Sequence, residues 1–407
     1  MKYTLTPPLK IKGNIKLPSS KSISNRALIL HALSYSDLEI ANVSDCDDTH
    51  VMIKALGSDD TVFDIGAAGT AMRFLTAFLS KIIGEWTITG SERMKQRPIK
   101  LLVDALNALG AKIEYVDKEG YPPLRIYGSA LEGGEIALDG GVSSQYISAL
   151  MMIAPTMKKG LTITLTGTVI SIPYIQLTAS MMEEFGVKVQ WHKNTISIAP
   201  QTYKPVAYTV ESDWSAASYW YQLLLLCGKG EVFLEGLRKN SVQGDAKIAS
   251  LFQQLGVKTR YKKEGILLTL NGNTPKKLLY NFVNQPDMAQ TFVVTCCMLQ
   301  VPFRFSGLQS LKIKETDRIA ALINELKKVG YVVCETKPGV MEWNGERCKP
   351  AKKIEIDTYD DHRMAMAFAP IAFNHKITIN NPQVVSKSYP NFWEDLKKVG
   401  FGIKEVS

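Results

Sequence analysis

Six stretches of the chain carry apolar residues at helical spacing and end in an apolar residue followed by glycine. The six pairs are Leu56-Gly57, Leu109-Gly110, Phe185-Gly186, Leu255-Gly256, Val329-Gly330 and Val399-Gly400. Glycine just after a helix suits a position with positive φ, and segments such as 111–115 and 187–191 then alternate as half-buried strands do. From the second pair onward the glycines are 70 to 76 residues apart. The pattern therefore predicts a helix–strand unit repeated six times.

A second set of six helices is predicted between the first, and these are apolar on nearly every side. They begin at short polar clusters, at residues 20–22, 69–70, 143–144, 212–213, 287 and 360–361. Helices that are apolar all round are buried. The fold class is therefore α/β, with two similar halves of three repeats each. The first repeat must be truncated, because the segment between Leu56 and Thr61 is too short for the usual strand pair.

Composition places the chain among globular proteins. Its 407 residues are 45% hydrophobic and 21% charged, which is enough for two or three domains with buried cores. Residues 1–8 resemble no signal peptide, and no window approaches the roughly 18 apolar residues that span a bilayer. The six cysteines show no C-x-x-C spacing, so neither disulfides nor a zinc site is indicated. We expect a cytoplasmic protein with reduced thiols and no membrane association.

The net charge of +9 suits acidic partners. The basic residues, however, are neither gathered into runs nor interleaved with aromatic residues. This distribution disfavours nucleic acid as a partner.

The first buried helix has a basic start. In Pro18–Arg26, Ser19 or Ser20 is a good N-cap, and Lys21 and Arg26 follow within two turns. A helix N-terminus already carries partial positive charge, so cations there are unfavourable unless an anion neutralises them. The stretch therefore favours a phosphate or carboxylate site over a solvated helix start.

Other helix starts carry similar groups, and for each a structural explanation stays open. Gly66–Arg73 is a glycine-rich turn that matches no nucleotide-binding motif, and 93–98 places three cations before a helix. Either segment could be an anion site, or instead a tight turn and a solvated loop. Hydrogen-bonding side chains that could equally be simple caps are Ser143, Ser144, Gln145, Ser171 and Tyr174.

The second half has mixed charges at its helix starts. Residues 312–318 are interpreted as one helical turn with Lys314 and Arg318 four residues apart, a pattern usual for a surface ion-pair face. Asp287 and Asp361-His362-Arg363, however, open helices whose continuations are apolar. Charges at the mouths of buried helices need partners.

These motifs, taken in order, resemble the 5-enolpyruvylshikimate-3-phosphate synthase family. Seven short segments spread over nearly the whole chain carry the resemblance: 18–26, 69–73, 93–98, 143–145, 314–318, 361–366 and 387–390. The resemblance implies two domains, each an inside-out α/β barrel of three βαβαββ units, with the substrate cleft between them. It places one domain at 19–211, as the shikimate-phosphate-binding half, and the other at 1–18 plus 212–407.

The resemblance also implies the reaction. The enolpyruvyl group of phosphoenolpyruvate (PEP) would pass to the 5-hydroxyl of shikimate 3-phosphate with release of phosphate, a step of the shikimate pathway to aromatic amino acids. No metal or cofactor is implied, and a monomer is expected. The family is a target of glyphosate, which occupies the PEP site.

The resemblance implies a binding or catalytic role for each residue that matches a family motif. Shikimate 3-phosphate would be held by Lys21, Ser22, Arg26, Ser143, Ser144, Gln145, Ser171, Tyr174, Asp287 and Lys314. PEP would be held by Lys21, Gly69, Arg97, Gln145, Arg318, Arg363 and Lys387. Glu315 would donate the proton to the PEP methylene carbon, Asp287 would be the base, and Lys21 would assist the leaving phosphate.

Three positions depart from the family pattern. Ala67 stands where Asn is common, Phe74 where Pro often follows Met-Arg, and Ser310 where some members have a substrate-contacting Asn. The first two put PEP and glyphosate affinity in question.

Two alternative functions share some of these features. A UDP-N-acetylglucosamine enolpyruvyl transferase would share the architecture but is expected to carry a reactive cysteine near its PEP loop, and 93–98 has none. A non-catalytic polyanion-binding protein would explain the positive charge but not Asp287 and Glu315.

Overall fold

The computed structural model describes residues 1–406, which form two compact units. The continuous unit is Ser20–Val210; the discontinuous unit combines Met1–Ser19 with the chain from Glu211 onward. Each unit has its own hydrophobic core.

Within the described residues there are twelve α-helices. They are α1 (Lys21–Leu33), α2 (Asp47–Leu56), α3 (Gly69–Lys81), α4 (Lys100–Ala108), α5 (Ser144–Ile153), α6 (Ile172–Glu184), α7 (Trp214–Cys227), α8 (Ile248–Leu255), α9 (Ala289–Met298), α10 (Arg318–Val329), α11 (His362–Phe368) and α12 (Phe392–Lys398).

The same part of the chain contains 22 strands. They are β1 (Lys2–Thr6), β2 (Ile11–Lys16), β3 (Ile40–Ala41), β4 (Val62–Asp64), β5 (Gly84–Thr89), β6 (Lys112–Tyr115), β7 (Leu124–Gly128), β8 (Gly134–Asp139), β9 (Leu161–Thr166), β10 (Gln190–His192), β11 (Thr195–Ile198), β12 (Tyr208–Thr209), β13 (Gly230–Glu235), β14 (Val257–Lys262), β15 (Gly265–Leu270), β16 (Leu278–Asn281), β17 (Phe303–Ser306), β18 (Cys334–Lys337), β19 (Val340–Trp343), β20 (Ile354–Ile356), β21 (Ile377–Asn380) and β22 (Gly402–Val406).

The strands form repeats of one design. The four-stranded sheets are β4-β5-β7-β6 and β10-β11-β9-β8 in the continuous unit, and β14-β15-β13-β2, β16-β17-β19-β18 and β20-β21-β1-β22 in the discontinuous unit. In each, one parallel pair is joined by two antiparallel pairs, as in β4 with β5, β5 with β7 and β7 with β6. Parallel pairing needs a crossover, and α3 provides it between β4 and β5. This βαβαββ order confirms the predicted fold class.

The truncated first repeat is also confirmed. Its sheet has two strands, β3 paired in parallel with β12. The glycine that ends its helix differs as well: Gly57 has φ −104°, whereas the other five predicted glycines have positive φ, such as 102° at Gly110. Gly110 turns the chain from α4 into β6. Gly57 has no such strand pair to start, so the prediction of a positive φ there is wrong.

The helices predicted to be apolar all round are buried. Every residue of α9 and α11 is buried, as is nearly every residue of α5. Full burial of a side chain such as Phe292 or Val293 contributes about 1.5–3 kcal/mol, so these helices hold each unit together from inside. Their polar first turns stay at the helix mouths.

Local caps set where these helices begin. The side chains of Ser20, Ser143, Asp213 and Asp361 each accept a hydrogen bond from a first-turn backbone N–H, which satisfies donors that a helix leaves free. The predicted starts of α1, α5, α7 and α11 are confirmed.

The interpretation of 312–318 as one helical turn is wrong. A 3₁₀ turn ends at Ile313, Lys314 is extended, and α10 begins at Arg318. Asp317 caps it by accepting hydrogen bonds from the N–H groups of Ile319 and Ala320, each at 3.1 Å.

Candidate active site

The continuous unit carries ten of the predicted site residues, all at or near helix starts. Three lie on α1 (Lys21, Ser22, Arg26), Gly69 opens α3, three lie at the start of α5 (Ser143, Ser144, Gln145), and two at the start of α6 (Ser171, Tyr174). Arg97 follows a 3₁₀ turn ahead of α4. Helices α1, α3, α5 and α6 pack against one another, so several positive helix ends lie within one unit.

Arg26 is a buried cation in a shell of neutral oxygens. Its Nε donates to Thr178 Oγ1 at 2.7 Å, and its terminal nitrogens donate to Ser148 Oγ and to the Ser22 and Tyr174 carbonyls. Among residues 1–406 no carboxylate forms an ion pair with it. Burial lowers the pKa of Arg26 to about 10. A buried, uncompensated positive charge is costly, and an arriving anion would relieve that cost.

Gly69 and Arg97 are in direct contact. A Cβ at position 69 would lie 2.5 Å from Arg97 Nη1, so the guanidinium packs where a side chain would otherwise stand. Arg97 is buried, and within the described chain its Nε has no hydrogen-bond partner. Both observations suit an anion site at the start of α3.

Two more of the predicted residues, Lys21 and Gln145, form side-chain contacts within this unit. Lys21 forms an ion pair with Asp48 at 2.9 Å, and the Gln145 amide donates to Thr70 Oγ1 at 3.1 Å, which links the starts of α5 and α3. Ser171 has φ 55° and its side chain caps nothing. A simple capping role is therefore excluded for Ser171 but describes Ser143.

In the discontinuous unit, one buried arginine gathers three carboxylates. Arg318 is 1% exposed. It donates to Asp361 through Nε at 2.7 Å, to Asp287 through Nη1 at 2.9 Å and to Glu315 through Nη2 at 2.8 Å. Burial alone would lower the pKa of Arg318, but the three carboxylates outweigh burial and raise it.

Asp287 lies among cations. Besides Arg318, it contacts Arg363 Nη2 at 3.1 Å and Lys314 Nζ at 3.6 Å. Burial would raise its pKa, but Arg363, Lys314 and Arg318 together hold the pKa of Asp287 far below its usual range. The group is therefore a carboxylate at neutral pH and a weak base while these cations face it.

Lys387 lies at the end of a 3₁₀ turn, and its Nζ donates to the Asp360 carbonyl at 2.6 Å. Since Asp361 contacts Arg318, adjacent residues of one turn meet two of the predicted anion-binding cations. In this unit the structure thus brings together Asp287, Lys314, Glu315, Arg318 and Arg363. Lys387 contacts Asp360, the residue next to the Asp361 partner of Arg318.

Two carboxylates here have no role in the prediction from sequence. Asp361 is fully buried against Arg318, and Asp48 holds Lys21. The polar start of an apolar helix marks Asp361, and an acidic pair in the first turn of α2 marks Asp48. Their partners, distant in sequence, become evident only from the fold.

The site residues thus form two clusters: the basic helix starts with Arg26 and Arg97 in the continuous unit, and the charged group around Arg318 in the discontinuous unit. Their charges suit the binding of small polyanions and proton transfer. Asp287 and Glu315 share Arg318. Within residues 1–406 no group of three potential ligands could hold a metal ion. A search of the same residues finds no helix with the length and hydropathy of a membrane span.

Solved structures share this architecture. An EPSP synthase from Acinetobacter baumannii superposes with a TM-score of 0.78 over 99% of this chain and 100% of that one, at 22% sequence identity. A second structure of that enzyme gives the same TM-score at 21% identity. The fold is therefore that of the EPSP synthases, a class of two-domain α/β transferases.

Sequence comparison establishes the family. The family model for EPSP synthase (3-phosphoshikimate 1-carboxyvinyltransferase) matches residues 5–58 and 54–396. A 3-phosphoshikimate 1-carboxyvinyltransferase of Bacteroides fragilis is 57% identical over 406 residues, 99% of each chain. One from Vibrio cholerae is 37% identical, covering 96% of this chain and 97% of the relative. The chain belongs to the EPSP synthase family.

Proposed function

We propose that the two clusters act on one pair of substrates, PEP and shikimate 3-phosphate. The protein is an enolpyruvyl transferase: it moves the enolpyruvyl group of PEP to the 5-hydroxyl of shikimate 3-phosphate and releases phosphate. The observation that supports these roles best is that Asp287 and Glu315 contact the same buried arginine, Arg318. A base and an acid are thereby placed beside a cation that suits an anionic substrate.

Binding of shikimate 3-phosphate is assigned mainly to the continuous unit. The 3-phosphate carries about −1.5 to −2 charges, which would compensate the buried charge of Arg26. The hydroxyl and amide groups at the starts of α1, α5 and α6 supply hydrogen bonds to the sugar-like ring and phosphate. Lys314 and Asp287, in the discontinuous unit, are assigned to the same substrate.

PEP is assigned to Lys21, Gly69, Arg97, Gln145, Arg318, Arg363 and Lys387. Asp287 accepts hydrogen bonds from Arg318 and Arg363, and Glu315 accepts one from Arg318. The carboxylate and phosphate of PEP would compete for those N–H groups. Once the cations turn to PEP, the pKa of Asp287 rises from its depressed value and the carboxylate becomes a better base.

The chemistry then proceeds by addition and elimination. Asp287 takes the proton of the 5-hydroxyl, whose oxygen forms a bond to C2 of PEP while Glu315 donates a proton to the methylene carbon. In the second step the C2–O bond to phosphate breaks, Lys21 stabilises the leaving phosphate, and the new methyl group returns a proton to the Glu315 carboxylate, which forms the enol ether of the product. Two carboxylates in unequal environments are the expected device for such steps.

Phosphate release tests the substrate assignment. Phosphate should appear when PEP and shikimate 3-phosphate are both present and not with either alone. Release with UDP-N-acetylglucosamine in place of shikimate 3-phosphate would move the protein to the rival transferase. Absence of release with any acceptor would favour the polyanion-binding alternative.

Arg26→Met should separate binding from stability. Because the buried charge has no carboxylate partner and Thr178 also bonds Ser148 at 2.8 Å, the melting temperature should not fall. The KM for shikimate 3-phosphate should rise about 10-fold or more, as expected for losing a charged partner. A variant that melts much lower with unchanged KM would make Arg26 a structural residue.

Gly69→Ala tests the PEP turn. The added methyl group would displace the Arg97 guanidinium, which is the far end of a flexible side chain. We therefore expect the KM for PEP to rise about 10-fold and inhibition by glyphosate to weaken. Stability should change little. Gly57→Ala is the control, since its φ is negative and its Cβ would lie 3.4 Å from the Ile53 carbonyl oxygen. An unchanged KM and inhibition constant in Gly69→Ala would remove this turn from the PEP site.

We infer a monomer that works in the cytoplasm on small anionic substrates without nucleic acid. All six cysteines are free thiols, which supports a reducing compartment.

A further inference from the structure

The turn that leads into α11 has an unfavourable backbone. Tyr359 and Asp360 both have φ 53°, and two consecutive left-handed residues with side chains are uncommon and strained. Such a conformation persists only where the surroundings hold it. The turn, residues 357–361, is called here the αL turn.

The αL turn presents two groups to the proposed PEP cations. The Asp360 carbonyl accepts a hydrogen bond from Lys387 Nζ at 2.6 Å, and the Asp361 carboxylate accepts from Arg318 Nε at 2.7 Å. The backbone conformation at 359 and 360 therefore sets the positions of both cations.

A buried carboxylate on α10 holds the αL turn from behind. Glu325 is fully buried. Its Oε1 accepts from the Tyr359 hydroxyl at 2.7 Å, and its Oε2 accepts from the Asp357 N–H at 3.0 Å and from Lys328 Nζ at 2.8 Å. The strained turn is thus tied to the helix at two points.

The spacing along α10 connects this contact to the site. Arg318 and Glu325 are seven residues apart, about two helical turns, and lie on one face. One residue meets the end of the αL turn at Asp361, the other its beginning at Asp357 and Tyr359. Helix α10 therefore fixes the turn along its length.

We propose that Glu325, acting through the Tyr359 hydroxyl, is a positioning residue for PEP binding. It touches no reacting atom. Glu325 holds the αL turn in the conformation that places Lys387 and Arg318. This inference rests on the proposed assignment of those two cations to PEP. The site for shikimate 3-phosphate depends on it far less, since most of the residues assigned to that substrate lie in the continuous unit.

Tyr359→Phe is the sharpest test, because it removes one hydroxyl and keeps the ring. Glu325 retains Asp357 and Lys328, so the melting temperature should change little. We expect the KM for PEP to rise about 10-fold and the KM for shikimate 3-phosphate to stay within about twofold. The control is Tyr127→Phe, which removes a tyrosine–glutamate hydrogen bond to Glu114 on the surface of the continuous unit and should leave both KM values unchanged.

A double variant checks that the two residues act as one. Glu325→Gln and Tyr359→Phe together should raise the KM for PEP by less than the product of the single effects. A product of independent effects, equal rises in both KM values, or a lower melting temperature with an unchanged KM for PEP would each overturn the proposal. Absence of turnover in the unaltered protein would instead contradict the proposed function.

Discussion

Asp287→Asn and Glu315→Gln are each expected to lower kcat by about 10²-fold or more, the size of effect that loss of an acid or base produces. Both changes keep the side-chain shape and leave Arg318, Arg363 and Lys314 in place. Binding of the two substrates should therefore change much less than turnover. Steady-state kinetics with each substrate varied in turn measures both quantities.

Glu342→Gln is the matched control for the carboxylate variants. Glu342 also pairs with an arginine, Arg304 at 2.7 Å across strands β19 and β17, but that arginine is 47% exposed whereas Arg318 is buried. It should leave kcat unchanged. Near-normal turnover in Asp287→Asn or Glu315→Gln would remove that residue from the proton transfers.

Arg318→Met is expected to damage stability and activity together. It leaves Asp287, Glu315 and the fully buried Asp361 without their shared cation. Removing one partner of a buried ion pair costs about 3–5 kcal/mol, and the KM for PEP should rise strongly because a proposed anion ligand is gone. Urea unfolding and PEP titration measure the two effects.

The Arg304–Glu342 pair again provides the comparison for Arg318→Met. Arg304→Met breaks a contact whose arginine is 47% exposed, and such pairs contribute about 0–1 kcal/mol. An Arg318→Met variant as stable as Arg304→Met would show that the cluster contributes little to folding.

The pH dependence of stability follows from the same cluster. The pKa of Asp287 is lower in the folded protein than in the unfolded chain, so its stabilising contribution is complete above the unfolded value of about 3.9 and is lost as the pH falls below it. Arg318→Met removes one cause of that depression. The variant should therefore lose less stability than the parent on acidification below about pH 4.

The repeats could be predicted because their signals are local. Caps such as Ser143 and Asp361, and glycines such as Gly110, act within one turn of the chain. The same local preference explains the error at 312–318, where Asp317 caps α10 and so ends the non-helical segment just before Arg318. Charge spacing alone does not reveal that boundary.

The environment of Arg318 could not be predicted in the same way. Its three carboxylates come from a 3₁₀ turn, the segment before α10 and the cap of α11, and two of them lie 31 and 43 residues away in sequence. The sequence shows charges at helix mouths but not which of them meet. Asp48 and Glu325 were missed for the same reason.

The central claim is that this protein joins PEP to shikimate 3-phosphate. Phosphorus NMR of a mixture with both substrates tests it most directly, because substrate loss, phosphate release and the new product are seen together. We expect the PEP signal to decline while inorganic phosphate and a new phosphate monoester rise in equal amounts. Unchanged spectra, or phosphate released from PEP without a new monoester, would contradict it.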